Sequence, residues 1–432
     1  MQNKNMPNSR RDLIKMIALS GMGIAGIGLR KGFSSVPFSN TSLTSLPSVL
    51  NADDLSIIGA YGKAVSEWKN KDLPSLSFRR PEWSDVEEWK KIARKKLSER
   101  IGIPNAGGLP QVTVNKQYEY DGLHIEEISW QLPYGSPTQA ILLKPANAKG
   151  PLPGILAFHD HGGDKYFGVR KITRAVGPQH PLMATHQQKY YGGQAWANEL
   201  AKRGYTVLVS DAFAFGSRRV LLKDVPAPIR EGLDDNDPEN PDRIKAYNHW
   251  AAQHEHIMAK SLFSAGTTWP GMFVAEDQKA LDILCARKDV DAKRIGCGGL
   301  SGGGIRTVYM GGLDPRIKCA VCVGFMTTWD DFILHKSFAH TWMAYAPLLP
   351  LELEFSEILG LRVPLATLVL NDNEDDLFTV SEMKKAAGVL SEIYQKAGKV
   401  DRFKCSFYPG EHKFDKNMQS EAFNWFDKWL KN

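Results

Sequence analysis

The segment Gly299-Leu300-Ser301-Gly302-Gly303 is where this sequence concentrates reactive chemistry. A serine hydroxyl is a weak nucleophile unless an adjacent base takes its proton. It must also stand clear of the backbone, which a sharp strand-to-helix turn achieves under strain. Only tiny neighbours fit such a turn, hence the pattern G-x-S-x-G. The backbone N–H of Gly302 would then point at the oxyanion of a tetrahedral intermediate. A Gly-rich turn that binds phosphate is the plain alternative. The segment lacks the G-K-[ST] of a Walker loop and the glycine-plus-acid set of a dinucleotide site.

A serine nucleophile needs a histidine and an acid. His412 lies in the turn Pro409-Gly410-Glu411-His412, and His335 and His340 lie earlier. Asn371-Asp372-Asn373-Glu374-Asp375-Asp376-Leu377-Phe378 offers four carboxylates that compete for the acid's place. His159-Asp160-His161 and His254-Glu255-His256 tempt a metal reading. Metal sites need a third ligand and a supporting shell, and the second pattern is not H-E-x-x-H. Structural or pocket-lining roles are expected for both, with no metal.

The elements that must hold these residues follow from periodicity. Residues 33–80 read as a linker, rich in Ser, Pro, Asn and Thr over 33–55, and an N-terminal extension. Ser84 and Glu87 form a capping box for a helix carrying Trp83, Val86, Trp89, Ile92 and Leu97, which Gly102 stops. Short alternating runs, 112–114, 123–132 and 140–143, predict an antiparallel meander. From 152 strands alternate with helices. Strands are expected at 152–158, 206–210, 294–300, 319–323, 365–370 and 403–408, and helices at 194–203, 274–287, from 302, 383–396 and 419–430. That is an α/β fold: a mostly parallel central sheet with antiparallel N-terminal strands and helices on both faces. Two long connections, 212–272 and 325–363, follow the C-terminal ends of parallel strands, where ligands bind in such sheets. They read as lid-like insertions. Aromatics crowd them, Trp250, Trp269, Trp329, Trp342 and Tyr345 among them, with Tyr166 nearby; these would either pack the lids or stack on sugar rings.

From Phe158-His159-Asp160-His161-Gly162-Gly163 onward the chain resembles the alpha/beta-hydrolase superfamily. The likeness continues through Trp196 to Arg203, Asp211 to Arg218, Val290 to Gly296, the Ser301 turn and Leu313 to Ile317. It covers roughly residues 110–432 and is nearest to dienelactone-hydrolase-like and bacterial acetyl xylan esterase-like proteins. True dienelactone hydrolases use a cysteine nucleophile; Ser301 stands here. The superfamily order is nucleophile, acid, histidine, which implies His412 as base and leaves His335 and His340 to line the pocket. In similar proteins the acid precedes a small residue, then Leu or Ile, then Phe. That register selects Asp375, with Asp372 and Asp376 behind it. The second oxyanion donor should come from the turn after strand 152–158, as the backbone N–H of His161 or, next, Gly162. The implied activity is hydrolysis of a carboxylic ester, small or borne by a glycan, without cofactor. A prolyl-oligopeptidase-type peptidase shares the elbow but usually brings a propeller that 110 residues cannot build. An inactive binding scaffold is the nonenzymatic rival. Glucuronoyl esterases carry Arg after the nucleophile, where Gly302 stands here.

The 432-residue chain has a formal charge of +6, but residues 1–32 supply a net +5 of it. The near-neutral remainder argues against a nucleic-acid partner. Ser9-Arg10-Arg11-Asp12-Leu13-Ile14-Lys15 resembles a twin-arginine export signal, and the apolar stretch after it, about 14 residues, suits a signal peptide and is short for a span. Residues 1–32 are therefore expected to be a twin-arginine-type signal peptide recognised by that export machinery. Residues 81–432 form the hydrolase domain, its N-terminal helix and meander occupying 81–150, delivered to the periplasm or outside without stable membrane insertion. Of the five cysteines, all from Cys285 onward, four lie in apolar runs that read as core, and an odd number argues against a disulfide framework.

Overall fold

The computed structural model describes residues 56–69 and 72–431. The expected signal peptide, residues 1–32, and the expected linker over 33–55 lie outside them. In chain order the elements begin with α1 (Tyr61–Trp68), α2 (Val86–Ile101), β1 (Thr113–Tyr120), β2 (Leu123–Trp130), β3 (Thr138–Pro145) and β4 (Leu152–Phe158). They continue with α3 (Pro181–Tyr191), α4 (Trp196–Lys202), β5 (Thr206–Ser210), α5 (Pro241–Ser264), α6 (Trp269–Ala286) and β6 (Val290–Leu300). Then come α7 (Gly302–Leu313), β7 (Ile317–Val323), α8 (Leu349–Glu352), α9 (Phe355–Gly360), β8 (Ala366–Asp372), α10 (Val380–Lys396), β9 (Phe403–Tyr408) and α11 (Lys416–Leu430).

These strands make a nine-stranded sheet in the order β1-β2-β3-β5-β4-β6-β7-β8-β9. Pairing is antiparallel from β1 through β3 to β5 and parallel from there on. β4 and β6 are central, β4 buried almost throughout and β6 from Ile295 onward, because helices cover both faces. On one face α2, α6 and α7 pack through Trp89, Leu97, Phe273, Leu281, Ile305 and Val308. On the other, α4 and α11 pack through Trp196, Leu200, Phe423 and Phe426. Behind Ser301, α7 is locked to α6 by a buried pair: Arg306 Nη2 and Nε donate to Asp277 at 2.6 and 2.9 Å. The edges differ. β1 is exposed over most of its length and slips register at Asn115. At the other edge, Ser406 and Tyr408 of β9 donate to Glu421 of α11.

Several expectations shift in detail. The capping box on Ser84 does not form. Asp85 is extended and accepts from Glu87 N and Glu88 N at 2.7 and 3.2 Å, so the cap sits one residue further in. Gly102 does end that helix, in the left-handed conformation. Part of the expected extension is built into the domain: Phe78 stacks on Trp89 at 4.5 Å, and Trp89 Nε1 donates to Leu76 O. The first insertion contains the 24-residue helix α5, capped by Asn240, whose side chain accepts from Asp242 N and Arg243 N. A further helix, α3, fills the connection between β4 and α4. Of the insertion aromatics, Trp250, Trp269 and Trp329 are buried packing residues. Tyr166, Trp342 and Tyr345 keep partial exposure.

Candidate active site

β6 delivers Ser301 at its C-terminal end. The residue has φ 58° and ψ −116°, a conformation costly for a side chain larger than glycine's, on the order of 1–3 kcal/mol. Ser301 N donates to Val323 O at 2.9 Å, which pins the turn to β7. The flanking glycines are sterically required. A Cβ at Gly299 or at Gly303 would run into the carbonyl of Phe158 on β4. One at Gly302 would lie 2.7 Å from the backbone N of His161. The turn after β4 and the start of α7 therefore meet here, bringing together the two residues expected to donate to an oxyanion.

His412 sits between β9 and α11. Its Nδ1 donates to Asp375 Oδ2 at 2.6 Å. That bond leaves the other nitrogen, Nε2, as the basic one, and Nε2 is buried without a hydrogen-bond partner among the described residues. The ring lies over Gly324, where an added Cβ would be 2.8 Å from His412 Cε1 and 3.1 Å from Leu300 Cδ1. Gly324 has φ 55° and directly follows the Val323 carbonyl that holds Ser301. The imidazole and the Ser301 turn are thus neighbours across the ends of β6 and β7.

Of the competing carboxylates, Asp375 is the one joined to His412. Its other oxygen accepts from Leu377 N at 3.0 Å. Asp372 instead accepts from Lys413 N at 3.1 Å, and burial pushes its carboxyl up to about 7. Asp376 is exposed. The second insertion braces this loop: Lys336 Nζ donates to Asp376 O at 2.7 Å, and Asp331 accepts from Thr379 N and Oγ1 at 3.0 and 2.6 Å. His340, expected in the pocket lining, instead packs among Phe325, Phe332 and Phe378 and donates from Nε2 to Leu377 O at 2.9 Å. Burial holds its ring neutral, down to about 4. His335 is exposed.

The turn after β4 is clamped from below. Asp160 accepts from His186 Nε2 at 3.0 Å and from the Tyr191 hydroxyl, both on α3. Burial pushes the Asp160 carboxyl up, but the His186 and Lys171 charges outweigh it and hold the group well below the usual carboxylate range. Lys171 Nζ donates to the carbonyls of Asp160 and His161 at 2.9 and 2.8 Å. Both nitrogens of each histidine in the H-x-H pattern are engaged. His159 Nδ1 donates to Asp160 O and its Nε2 accepts from Ala212 N. His161 Nδ1 accepts from Gly163 N at 3.1 Å while Nε2 faces Glu255 Oε1 at 2.9 Å. Neither ring has a lone pair to offer a metal. Sequence reasoning did not find Lys165, which lies between the Phe215 and Trp269 rings and pairs with Glu255. A lysine four residues after a histidine in an irregular loop carries no local signal.

This sheet order, with the strained Ser301 turn after β6 and the histidine between the last strand and last helix, is the alpha/beta-hydrolase fold. No protein-family model matches the chain. It is 25% identical over 341 residues to a protein of Bacillus subtilis (strain 168) named "Putative hydrolase YtaP", a match covering 78% of this chain and 98% of that one. A Bacteroides fragilis structure titled "putative acetyl xylan esterase" superposes with a TM-score of 0.60 at 19% identity, covering 80% of this chain and 81% of that one. A glucuronoyl esterase from Solibacter usitatus superposes with a TM-score of 0.56 at 14% identity, covering 82% and 97%. Structural likeness at these identities speaks for the fold.

Proposed function

We propose that this chain is an exported serine hydrolase that cleaves carboxylic esters through an acyl-enzyme, with an acetylated plant or algal glycan as its substrate class. The observation that carries the reading is the His412–Asp375 hydrogen bond, set over Gly324 beside the strained Ser301 turn. His412 Nε2 takes the Ser301 proton as Oγ attacks the ester carbonyl. The backbone N–H groups of Gly302 and His161 hold the resulting oxyanion. The imidazolium, stabilised by Asp375, returns its proton to the leaving alcohol. Water, deprotonated by the same nitrogen, then attacks the acyl-enzyme, and collapse of the second tetrahedral intermediate frees the acid and Ser301.

The glycan assignment draws on the fold neighbours titled as acetyl xylan and glucuronoyl esterases, and on the partly exposed Tyr166, Trp342 and Tyr345, whose rings suit sugar faces. Export draws on the Arg10-Arg11 motif and on five cysteines that are all free, which a route for folded proteins would preserve. Arg10→Lys together with Arg11→Lys should hold the protein in the cytoplasm; unchanged export would exclude the twin-arginine route.

The test is hydrolysis of 4-nitrophenyl acetate, butyrate and octanoate, beside acetate release from acetylated xylan, by the parent and by Ser301→Ala. The expected result is cleavage of the acetate ester and of xylan acetate, both abolished in Ser301→Ala. A folded protein that cleaves none of these, or a variant that keeps full activity, overturns the serine esterase reading. Ester cleavage without xylan deacetylation overturns the acetyl xylan assignment alone.

A further inference from the structure

The side chains of the two histidine patterns, 159–161 and 254–256, take no part in the mechanism, yet His161 of the first meets Glu255 of the second. Glu255 lies on α5, in the first insertion, and is buried. Its Oε1 accepts from His161 Nε2 at 2.9 Å and from Lys165 Nζ. The Thr341 hydroxyl reaches both oxygens, at 3.0 and 2.9 Å, and Trp342 N donates to Oε2 at 3.3 Å. Three segments distant in sequence therefore converge: the turn after β4, α5, and the second insertion. Burial pushes the Glu255 carboxyl up, but the His161 hydrogen bond and the Lys165 ammonium outweigh it and keep the group ionised.

The ring that Glu255 grips belongs to the residue whose backbone N abuts Gly302. With Nδ1 accepting from Gly163 N and Nε2–H donating to Glu255, the imidazole is fixed at both ends. It has no free nitrogen to move a proton, and every Glu255 oxygen already faces donors. The cluster is thus unsuited to acid–base chemistry and suited to holding a backbone in place.

We propose that Glu255 is a positioning residue: it sets the oxyanion-binding N–H of His161 and ties that setting to Thr341 and Trp342 of the second insertion. The proposal rests on the serine-hydrolase reading. An ester seated against the second insertion would then reinforce the donor geometry through this carboxylate rather than by touching it. The benefit should appear mainly in the transition state, where the oxyanion forms.

The test uses the full chain and its Glu255→Gln and Thr341→Val variants. The readouts are kcat and KM on 4-nitrophenyl acetate, the pH–rate profile, and inhibition by phenylboronic acid, which forms a tetrahedral serine adduct. Losing an oxyanion donor outright costs about 10²–10³ in kcat, so displacing one in Glu255→Gln should cost about 10- to 100-fold. KM should stay within about threefold, the boronate inhibition constant should rise in step with the fall in kcat, and the apparent pKa of the base should not move. Thr341→Val removes one donor without touching His161 and should show the same pattern at about three- to tenfold. A rise in KM at constant kcat would mean direct substrate contact and overturn the proposal. So would a lower melting temperature with unchanged kcat and boronate inhibition, or a kcat loss that boronate binding does not share. Should Glu255→Gln fail to fold, Thr341→Val decides. Failure of the underlying reading shows separately, as parent protein inert to the ester or Ser301→Ala fully active.

Discussion

Replacing Asp375 by Asn exchanges one oxygen for an amide nitrogen at almost constant volume. Both oxygens are in use: Oδ2 accepts from His412 Nδ1 at 2.6 Å and Oδ1 from Leu377 N at 3.0 Å. An Asn side chain can serve one of these donors. If its amide nitrogen faces His412, two donors confront each other, and the imidazole must carry its proton on Nε2. That is the atom needed to receive the Ser301 proton. If the side chain turns over, Leu377 N–H loses its acceptor and the loop shifts. In a serine protease triad the wrong tautomer costs about 10⁴ in kcat, about 5.4 kcal/mol of barrier. Asp375→Asn should therefore lower kcat on 4-nitrophenyl acetate by about 10³- to 10⁴-fold, with KM little changed and the fold intact by circular dichroism. Asp372→Asn is the control, since its carboxyl faces Lys413 N, and should cost less than about tenfold, or about 1.4 kcal/mol. Equal losses in the two variants, or the larger loss at Asp372, would refute the assignment.

Other perturbations follow from the same geometry. Gly324→Ala places a methyl 2.8 Å from His412 Cε1 at a positive φ, so activity should fall by about 10²-fold or more by displacing the base; retained activity would put His412 elsewhere during turnover. Asp277→Ala leaves the wholly buried Arg306 unpaired and should cost about 3–5 kcal/mol in urea denaturation; a loss under about 1 kcal/mol would mean the pair is not structural. The Asp372 carboxyl is raised from 3.8 to about 7, so between those pH values the folded chain holds a proton that the unfolded chain has released. Stability from this group is full below about pH 4 and is lost as pH rises through about 7. Asp372→Asn should consequently raise the melting temperature at pH 8 relative to the parent while leaving it unchanged at pH 4; an equal shift at both would exclude the linkage.

What was legible in the sequence was what is local. The elbow glycines, the α2 stop at Gly102 and the alternation after 152 all depend on near neighbours. Helix α5 was missed because its buried stripe is disguised. Ile244, Tyr247, Trp250, Ala251, Glu255 and Ala259 form it, but after Trp250 it runs through two alanines and an acid, so the hydrophobic period fades over the second half. The Asn240-Pro241 start was the available signal, an N-cap followed by proline at the first helical position. The cap at Asp85 rather than Ser84 is a one-residue choice between two good acceptors, decided by which one the chain leaves extended. For Glu255 a structural or pocket-lining role was legible but its partners were not: they lie 94 and 86 residues away, and only the packed insertions bring them together.

The two rims of the sheet carry a consequence for self-association. An open sheet ends in strands whose unpaired amides and carbonyls can recruit another chain and seed aggregates. β1 answers this with the register slip at Asn115, which interrupts a flat pairing surface, and with Lys116 and Glu119, whose charges a docking strand would have to desolvate. β9 answers with cover: Ser406, Tyr408 and Lys404 all engage Glu421 of the last helix. Removing Glu421 would bare a rim adjacent to the His412 loop. A substitution there should surface first as loss of soluble protein on storage, before any change in turnover.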